Sequence, residues 1–298
     1  MSAAHWTRRE FVTAACAAGV SSALAAPAPK GSRSLAGETG ITMGTFGTHL
    51  KGGSGLTLLD IPRLLRDELD MRIIDLMTAT VPSLEPAYLD KLRAAAESAG
   101  CIFTNLKMNQ YELDLSSPDD NTRNHAIDEY RRTMTAAARL GVRWVRPVSG
   151  RKAENAGRLA TSYRKLIDHG APLGITILIE NVGWIKDDPD VIPKIIAATG
   201  RGLRAQPDTG NWNDAVRYDG LAKAFPLAAS CDFKAWDLGP DGSHAKYDLE
   251  RCFQIGWKAG FRGPWCLEHF NETLPGLKRG LGVLRDQLRG WMKAAKAP

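Results

Sequence analysis

The chain has 298 residues, of which 44% are hydrophobic and 24% charged, and it carries a formal net charge of +6. Its apolar content is ordinary for a globular protein, so a sizeable core can form without help from disulfides. The positive charge is spread along the chain. This pattern excludes a nucleic-acid-binding patch and indicates a solvated surface with a mild preference for anionic ligands.

The N-terminus has the features of an export signal. Residues 7–12 read TRREFV, a twin-arginine core, and a short Ala-rich apolar run leads to a small-residue cleavage site, ALA, at 23–25. An ordinary basic N-terminus before a hydrophobic helix is the alternative, but the run is too short and too Ala-rich to span a bilayer. We therefore predict a signal peptide at 1–25 and a Pro/Gly/Ser linker at 26–39. The twin-arginine export machinery is then a partner, and the mature protein is periplasmic or secreted, with no membrane attachment.

From residue 40 onward, short apolar runs alternate with longer helical patterns. The predicted strands are 40–47, 71–77, 101–107, 142–148, 175–180, 203–208, 229–236 and 264–268. The predicted helices are 58–68, 86–99, 118–140, 154–169, 190–199, 212–224, 247–260 and 274–295. Eight strands alternating with eight helices predict an α/β fold, a single-domain (β/α)8 TIM barrel over residues 40–298. A doubly wound open sheet is the alternative, but no Gly-rich phosphate loop follows the first strand.

Four cysteines remain after removal of the signal: Cys101, Cys231, Cys252 and Cys266. None of them forms a C-x-x-C pair, so a cysteine zinc site is not expected. Strand alternation places Cys231 and Cys266 on different faces. A bond between Cys231 and Cys252 is geometrically possible, but free buried thiols are favoured.

Four carboxylates at the ends of the last four predicted strands are the main functional signal: Glu180, Asp208, Asp232 and Glu268. In a parallel barrel these strand ends converge on the face that holds the active site. Taken singly, Glu180 could be a salt-bridged strand end and Asp208 a helix cap. Four converging acids cannot all stay ionised and unpaired, so a divalent cation is their natural partner. Strand alternation turns the next residue, His269, away from the barrel.

Other polar and aromatic residues lie close to these acids in sequence. Lys234 shares a strand face with Asp232, where it either pairs with an acid or stabilises developing negative charge. Arg146 ends the fourth strand, where it either binds substrate or pairs with an acid. Trp184 and Trp236 follow site strands closely; such rings either stack on sugars or pack loops.

Several segments carry a family resemblance: IENVGWI, QPDTGNW, DFKAWD with the later DGSHAKYDLERCF, and GFRGPWCLEHF. Through them, and through ELDLSSPDD and TAAARLGVRWVRPVSG in its middle section, the chain from about residue 40 resembles the xylose isomerase-like sugar phosphate isomerase/epimerase superfamily. The resemblance implies one divalent metal bound by Glu180, Asp208, the residue at position 232 and Glu268. It also implies that the two glutamates move protons on either face of the sugar.

The chain departs from the family pattern at two positions. Asp232 stands where the family has a histidine, and Asn211 stands where it frequently has another. A site made only of carboxylates is a harder ligand set, which favours Mn²⁺, Mg²⁺ or Ca²⁺ over Zn²⁺.

The implied chemistry is proton abstraction next to a carbonyl through a metal-stabilised enediolate, an isomerase or epimerase reaction. In this chemistry we expect Lys234 to stabilise the oxyanion and Asn181 and Asn211 to contact substrate hydroxyls. Export argues for a non-phosphorylated sugar or keto-sugar. A keto-glycoside lyase using the same site and an inert sugar-binding barrel are alternatives. A nuclease with three zinc ions would need several histidines, and the chain has six. Monomer and homo-oligomer both remain open.

Overall fold

The computed structural model describes residues 34–51, 55–150 and 156–296. The predicted signal peptide at 1–25 and most of the predicted linker lie outside the described residues. Just before the first strand, Leu35 is buried against Ile73 and Cys266, and Glu38 pairs with Arg72 at 2.8 Å. The described end of the linker therefore packs on the barrel.

Eight parallel strands form the barrel. They are β1 Thr39–Thr42, β2 Ile73–Met77, β3 Ile102–Met108, β4 Trp144–Pro147, β5 Thr176–Glu180, β6 Leu203–Gln206, β7 Cys231–Lys234 and β8 Trp265–Glu268. The sheet runs in the order β6-β5-β4-β3-β2-β1-β8-β7. Parallel bridges join Ala205 to Ala228 and Asp208 to Asp232, so β6 and β7 come together and the barrel is nearly closed. The predicted (β/α)8 TIM barrel is confirmed.

Helices follow the strands along the chain. They are α1 Gly47–Lys51, α2 Ile61–Leu69, α3 Pro86–Ser98, α4 Asp120–Arg139, α5 Ala156–Gly170, α6 Val191–Thr199, α7 Arg217–Ala224, α8 Leu249–Lys258 and α9 Leu274–Ala294. Side-chain caps begin three of them, with Asp119, Asp248 and Thr273 accepting backbone N–H bonds. No helix within the described ranges has the length and apolarity needed to cross a membrane.

Two element boundaries differ from the prediction by five residues, more than any other. The first strand ends at Thr42, because Met43–Phe46 forms a 3-10 turn that leads into α1. Helix α7 begins at Arg217 rather than at 212. The Asp208 carboxylate accepts the N–H groups of Gly210 and Asn211, which holds the segment after β6 in a capped turn. Periodicity alone could not separate this turn from a helix start.

The barrel interior below the strand ends is polar. Asn105 Nδ2 donates to Gln206 Oε1 at 2.9 Å, and Gln206 Nε2 donates to Asp75 Oδ2 at 3.2 Å. Thr104 donates to the other oxygen of Asp75. Burial raises the pKa of Asp75, opposed by Lys107. Hydrogen-bonded side chains therefore fill the space between the strands, while the apolar core lies between strands and helices.

The cysteines and His269, for which the sequence predicts no catalytic role, make structural contacts. All four described cysteines are free and buried, which confirms the preferred prediction for them. His269 faces away from the barrel as predicted, with Nδ1 2.7 Å from the carbonyl oxygen of Ala235. Its ring packs on Gly280 of α9.

This packing predicts opposite effects for two glycine-to-alanine changes on α9. A Cβ at position 280 would collide with the His269 ring, whereas a Cβ at position 290 would meet open space. Gly280→Ala is expected to lower the free energy of unfolding by about 1–3 kcal/mol through overpacking. Gly290→Ala should raise it by about 0.4–1 kcal/mol. Urea denaturation measures both, and a shift of the same sign in the two variants would contradict this description of His269.

Candidate active site

The C-terminal strand ends bring three predicted metal ligands together. Glu180 at the end of β5, Asp208 after β6 and Asp232 on β7 are buried, and one oxygen of each lies within 4.8 Å of the others. Glu268 at the end of β8 joins them through Lys234, whose Nζ lies 2.9 Å from Asp208 Oδ2 and 3.1 Å from Glu268 Oε1. The buried acidic triad could hold a metal ion.

Three cations lie among these four carboxylates. Lys107 Nζ on β3 lies 2.5 Å from Asp232 Oδ2, and Arg146 Nε on β4 lies 2.8 Å from Glu180 Oε2. Lys234 is the third. Four carboxylates facing three cations keep one excess negative charge when all are ionised, so the cluster is largely neutralised by the chain itself.

Lys107 was not predicted from the sequence, although a signal for it exists. It lies in a strand that is almost entirely buried, two residues after Asn105, and therefore on the same inward face. Lysine is rarely buried without a partner, so one in a buried strand indicates an acid opposite it. The register of β3 and β4 then places Lys107 beside Arg146.

Burial and the neighbouring charges act in opposite directions on the acids. Burial raises the pKa of Glu180, but Arg146 and Lys107 outweigh it and hold that pKa below its usual range. Burial raises the pKa of Asp208 to about 6, against the opposing effect of Lys234. Asp232 in turn raises the pKa of Lys107 against the lowering effect of burial, so we take their pair as ionised.

Lys234 is held in position by neighbours that the sequence did not suggest. Its N–H donates to Thr209 Oγ1 at 2.9 Å, and its carbonyl accepts the hydroxyl of Tyr247 at 2.6 Å. Its Nζ donates to Asn211 Oδ1 at 2.7 Å. The side-chain stem lies against Gly210, where a Cβ would approach Cδ within 2.7 Å. The backbone of Lys234 is thus fixed, and a glycine makes room for its side chain.

The two predicted substrate-binding asparagines have different contacts. Asn181 is fully buried, and its amide spans the backbone of Asp208: Oδ1 accepts the N–H at 2.8 Å and Nδ2 donates to the carbonyl at 2.9 Å. Asn211 donates to Glu180 Oε1 at 2.9 Å while accepting from Lys234. Asn181 therefore positions a metal-ligand candidate, and Asn211 links the two sides of the cluster.

The tryptophans after the site strands also differ. Trp236 is 55% exposed at the barrel mouth, with its ring centroid 5.0 Å from Lys234 Nζ. Trp184 is half-buried in the turn after β5, whereas Trp212 is buried against Gly220 and packs a loop. Trp236 is thus the ring best placed to stack on a ligand.

The donor set fits a hard divalent cation. Glu180 Oε2 and Asp208 Oδ2 are buried, and each lies beside a cation of the chain: Arg146 Nε at 2.8 Å from the first and Lys234 Nζ at 2.9 Å from the second. A metal ion at these oxygens would have to replace or share those cations. Two histidines close to the site strands in sequence are placed elsewhere: His269 lies behind the barrel wall and His244 packs on Tyr247. Oxygen ligands favour Mg²⁺, Mn²⁺ or Ca²⁺.

A sequence profile described as "Xylose isomerase-like TIM barrel" matches residues 67–294. The chain belongs to this family. The match includes every carboxylate and every cation of the cluster described above. No curated protein sequence matches the chain significantly.

Several solved structures have a similar fold, and this chain aligns with nearly the whole length of each. D-psicose 3-epimerase with D-tagatose from Clostridium cellulolyticum H10 is 13% identical, with 86% of this chain and 99% of that chain covered and a TM-score of 0.68. A xylose isomerase domain protein from Alicyclobacillus acidocaldarius is 19% identical, with 87% and 99% covered and a TM-score of 0.63. A xylose isomerase-like TIM barrel protein from Mycobacterium smegmatis, in complex with magnesium, is 20% identical, with 84% and 97% covered and a TM-score of 0.59. At these identities they show a shared fold.

Proposed function

We propose that the protein is a metal-dependent sugar isomerase or epimerase acting on a non-phosphorylated sugar or keto-sugar. One observation carries the proposal. Glu180 and Glu268 lie at the two ends of a single polar bridge, in which Asn211 binds Glu180 and Lys234 binds both Asn211 and Glu268. Two carboxylates on opposite sides of the same polar groups are what proton transfer on two faces of a sugar requires.

Glu180, Asp208, Asp232 and Glu268 are the proposed donors for one divalent ion, with Mn²⁺, Mg²⁺ or Ca²⁺ preferred over Zn²⁺. When bound, the ion supplies Lewis-acid stabilisation of negative charge on a substrate oxygen. The Lys107 ammonium offsets the charge of Asp232. The magnesium complex of the similar Mycobacterium smegmatis barrel supports the choice of a hard cation.

The residues of the chain carry the proton transfer. Glu180, kept ionised by Arg146, or Glu268 takes the proton from the carbon next to the carbonyl, and the released electron pair moves onto the carbonyl oxygen. The other glutamate, in its acid form, returns a proton, so the substrate keeps its composition. Lys234 and Asn211 donate hydrogen bonds to the oxygen that gains charge, and Trp236 stacks on the sugar ring.

The charges of the site support a neutral substrate. Lys107, Arg146 and Lys234 each already contact a carboxylate, and the cluster carries no excess positive charge when all four acids are ionised. A phosphate dianion would have to compete with those carboxylates. A free sugar or keto-sugar brings no such charge.

We also propose that the protein is exported by the twin-arginine route. The TRREFV core at 7–12 and the ALA site at 23–25 support this, and they lie outside the described residues. Cell fractionation of the wild type beside an Arg8→Lys/Arg9→Lys variant tests it. Accumulation of the variant in the cytoplasm is expected, and equal distribution of the two proteins would argue against it.

The test of function is proton exchange in D₂O. The metal content of the mature protein is measured, and keto-sugars are then incubated with the Mn²⁺-loaded and the chelated protein. Deuterium should enter the sugar only in the presence of metal. Sugar binding that survives chelation, without any exchange, would instead indicate an inert sugar-binding barrel.

A further inference from the structure

We infer that Lys234 competes with the divalent ion for Asp208 and Glu268. In the metal-free protein its ammonium binds both of these acids, and binding of the ion drives it out toward the barrel mouth. The inference rests on the proposed function, because the ion belongs to that proposal.

The contacts of Lys234 Nζ form a complete set. Its three N–H donors face three oxygens, at 2.7 Å from Asn211, 2.9 Å from Asp208 and 3.1 Å from Glu268. A divalent ion binds carboxylate oxygens at about 2.0–2.6 Å. An ion shared by Asp208 and Glu268 would thus need the space that the ammonium fills. Two cations on the same carboxylate oxygens would also repel each other strongly.

Of the three cations, Lys234 is the one able to leave. The side chains of Lys107 and Arg146 are each 3% exposed, and Arg146 is further held by Asn109 at 2.6 Å. Lys234 is 14% exposed and has the exposed ring of Trp236 beside it, 5.0 Å from Nζ. The face of the Trp236 ring can stabilise the ammonium after it leaves the two carboxylates.

Only the side chain needs to move. Thr209 and Tyr247 hold the backbone of Lys234, and a lysine stem rotates easily over its four carbons. Outward rotation would bring the ammonium toward the substrate side of the cluster. Metal loading would then change Lys234 from a counter-ion of the acids into a hydrogen-bond donor for the substrate oxygen.

Mn²⁺ binding to the chelated, full-length mature protein tests the competition. Titrations at one fixed pH compare the wild type with Lys234→Met, which removes the ammonium, and Lys234→Arg, which keeps the charge. Lys234→Met should tighten Mn²⁺ binding about ten- to hundredfold, the usual size of a coupling between two ligands. Lys234→Arg should weaken it, because the guanidinium holds carboxylates through two parallel bonds.

Lys223→Met is the matched control. Lys223 also contacts two carboxylates, Asp190 and Asp219, each at 2.8 Å, but on the outside of the barrel. Its replacement should leave Mn²⁺ affinity unchanged. A thermal melt adds a second readout: metal-free Lys234→Met should melt below the wild type, and saturating Mn²⁺ should remove the difference.

Each result bears on the inference. Unchanged or weaker Mn²⁺ binding by Lys234→Met would overturn it, as would binding to neither protein. If Lys234→Met does not fold, Lys234→Gln takes its place with the same expected direction. Tighter binding without proton exchange in any keto-sugar would leave the competition standing and reject the isomerase. Metal-dependent proton exchange, together with an unchanged Mn²⁺ affinity of Lys234→Met, would support the isomerase and reject the competition.

Discussion

Replacing either Glu180 or Glu268 by glutamine is expected to slow deuterium exchange into the substrate by about 10²–10⁴-fold. Glutamine keeps the size and one acceptor oxygen of glutamate, but it cannot take up a proton at the pH of the assay. Both residues end strands at the same face of the barrel and flank the Asn211–Lys234 bridge. The loss should therefore appear in both variants.

The design separates proton removal from proton return. Deuterium wash-in and conversion of substrate are measured for each variant, and a melt with and without Mn²⁺ reports the state of the fold and of the metal site. Glu272→Gln, four residues beyond Glu268 in an exposed position of the following loop, is the control and should keep the wild-type rate. A rate within tenfold of the wild type in either site variant would remove that glutamate from the proposed mechanism.

Replacing Lys107 by methionine is expected to lower the free energy of unfolding by about 3–5 kcal/mol. The change leaves the carboxylate of Asp232, which is fully buried, without its cation at 2.5 Å. The double variant Lys107→Met/Asp232→Asn should recover much of the loss, because it removes both charges. Urea denaturation of the two single variants and the double variant gives the coupling between them.

The control is an ion pair with the same N–O distance on the solvent-accessible surface. Lys278 Nζ lies 2.5 Å from Glu68 Oε2, but the two side chains are 28% and 46% exposed. Lys278→Met should cost less than about 1 kcal/mol, since solvent screens such pairs. If the double variant at positions 107 and 232 is no more stable than Lys107→Met alone, Asp232 is not the group that Lys107 neutralises.

Local patterns in the sequence determined the barrel and the location of its site. Alternating strand and helix periods, ended by glycines such as Gly100, Gly141 and Gly260 at positive φ, gave eight units in the right order. Parallel closure then places every strand end on one face. The convergence of the acids follows from that rule and from their positions at strand ends, with no knowledge of packing.

Only the tertiary structure decided which charge pairs with which. Lys107 and Asp232 are 125 residues apart, and they meet because the barrel closes and its register puts both side chains inside. Strand alternation showed that Lys234 shares a face with Asp232, yet its ammonium reaches Asp208 and Glu268 instead. Periodicity specifies the face on which a side chain lies, whereas its partners depend on strand stagger across the barrel. That stagger is set by the packing of the whole chain.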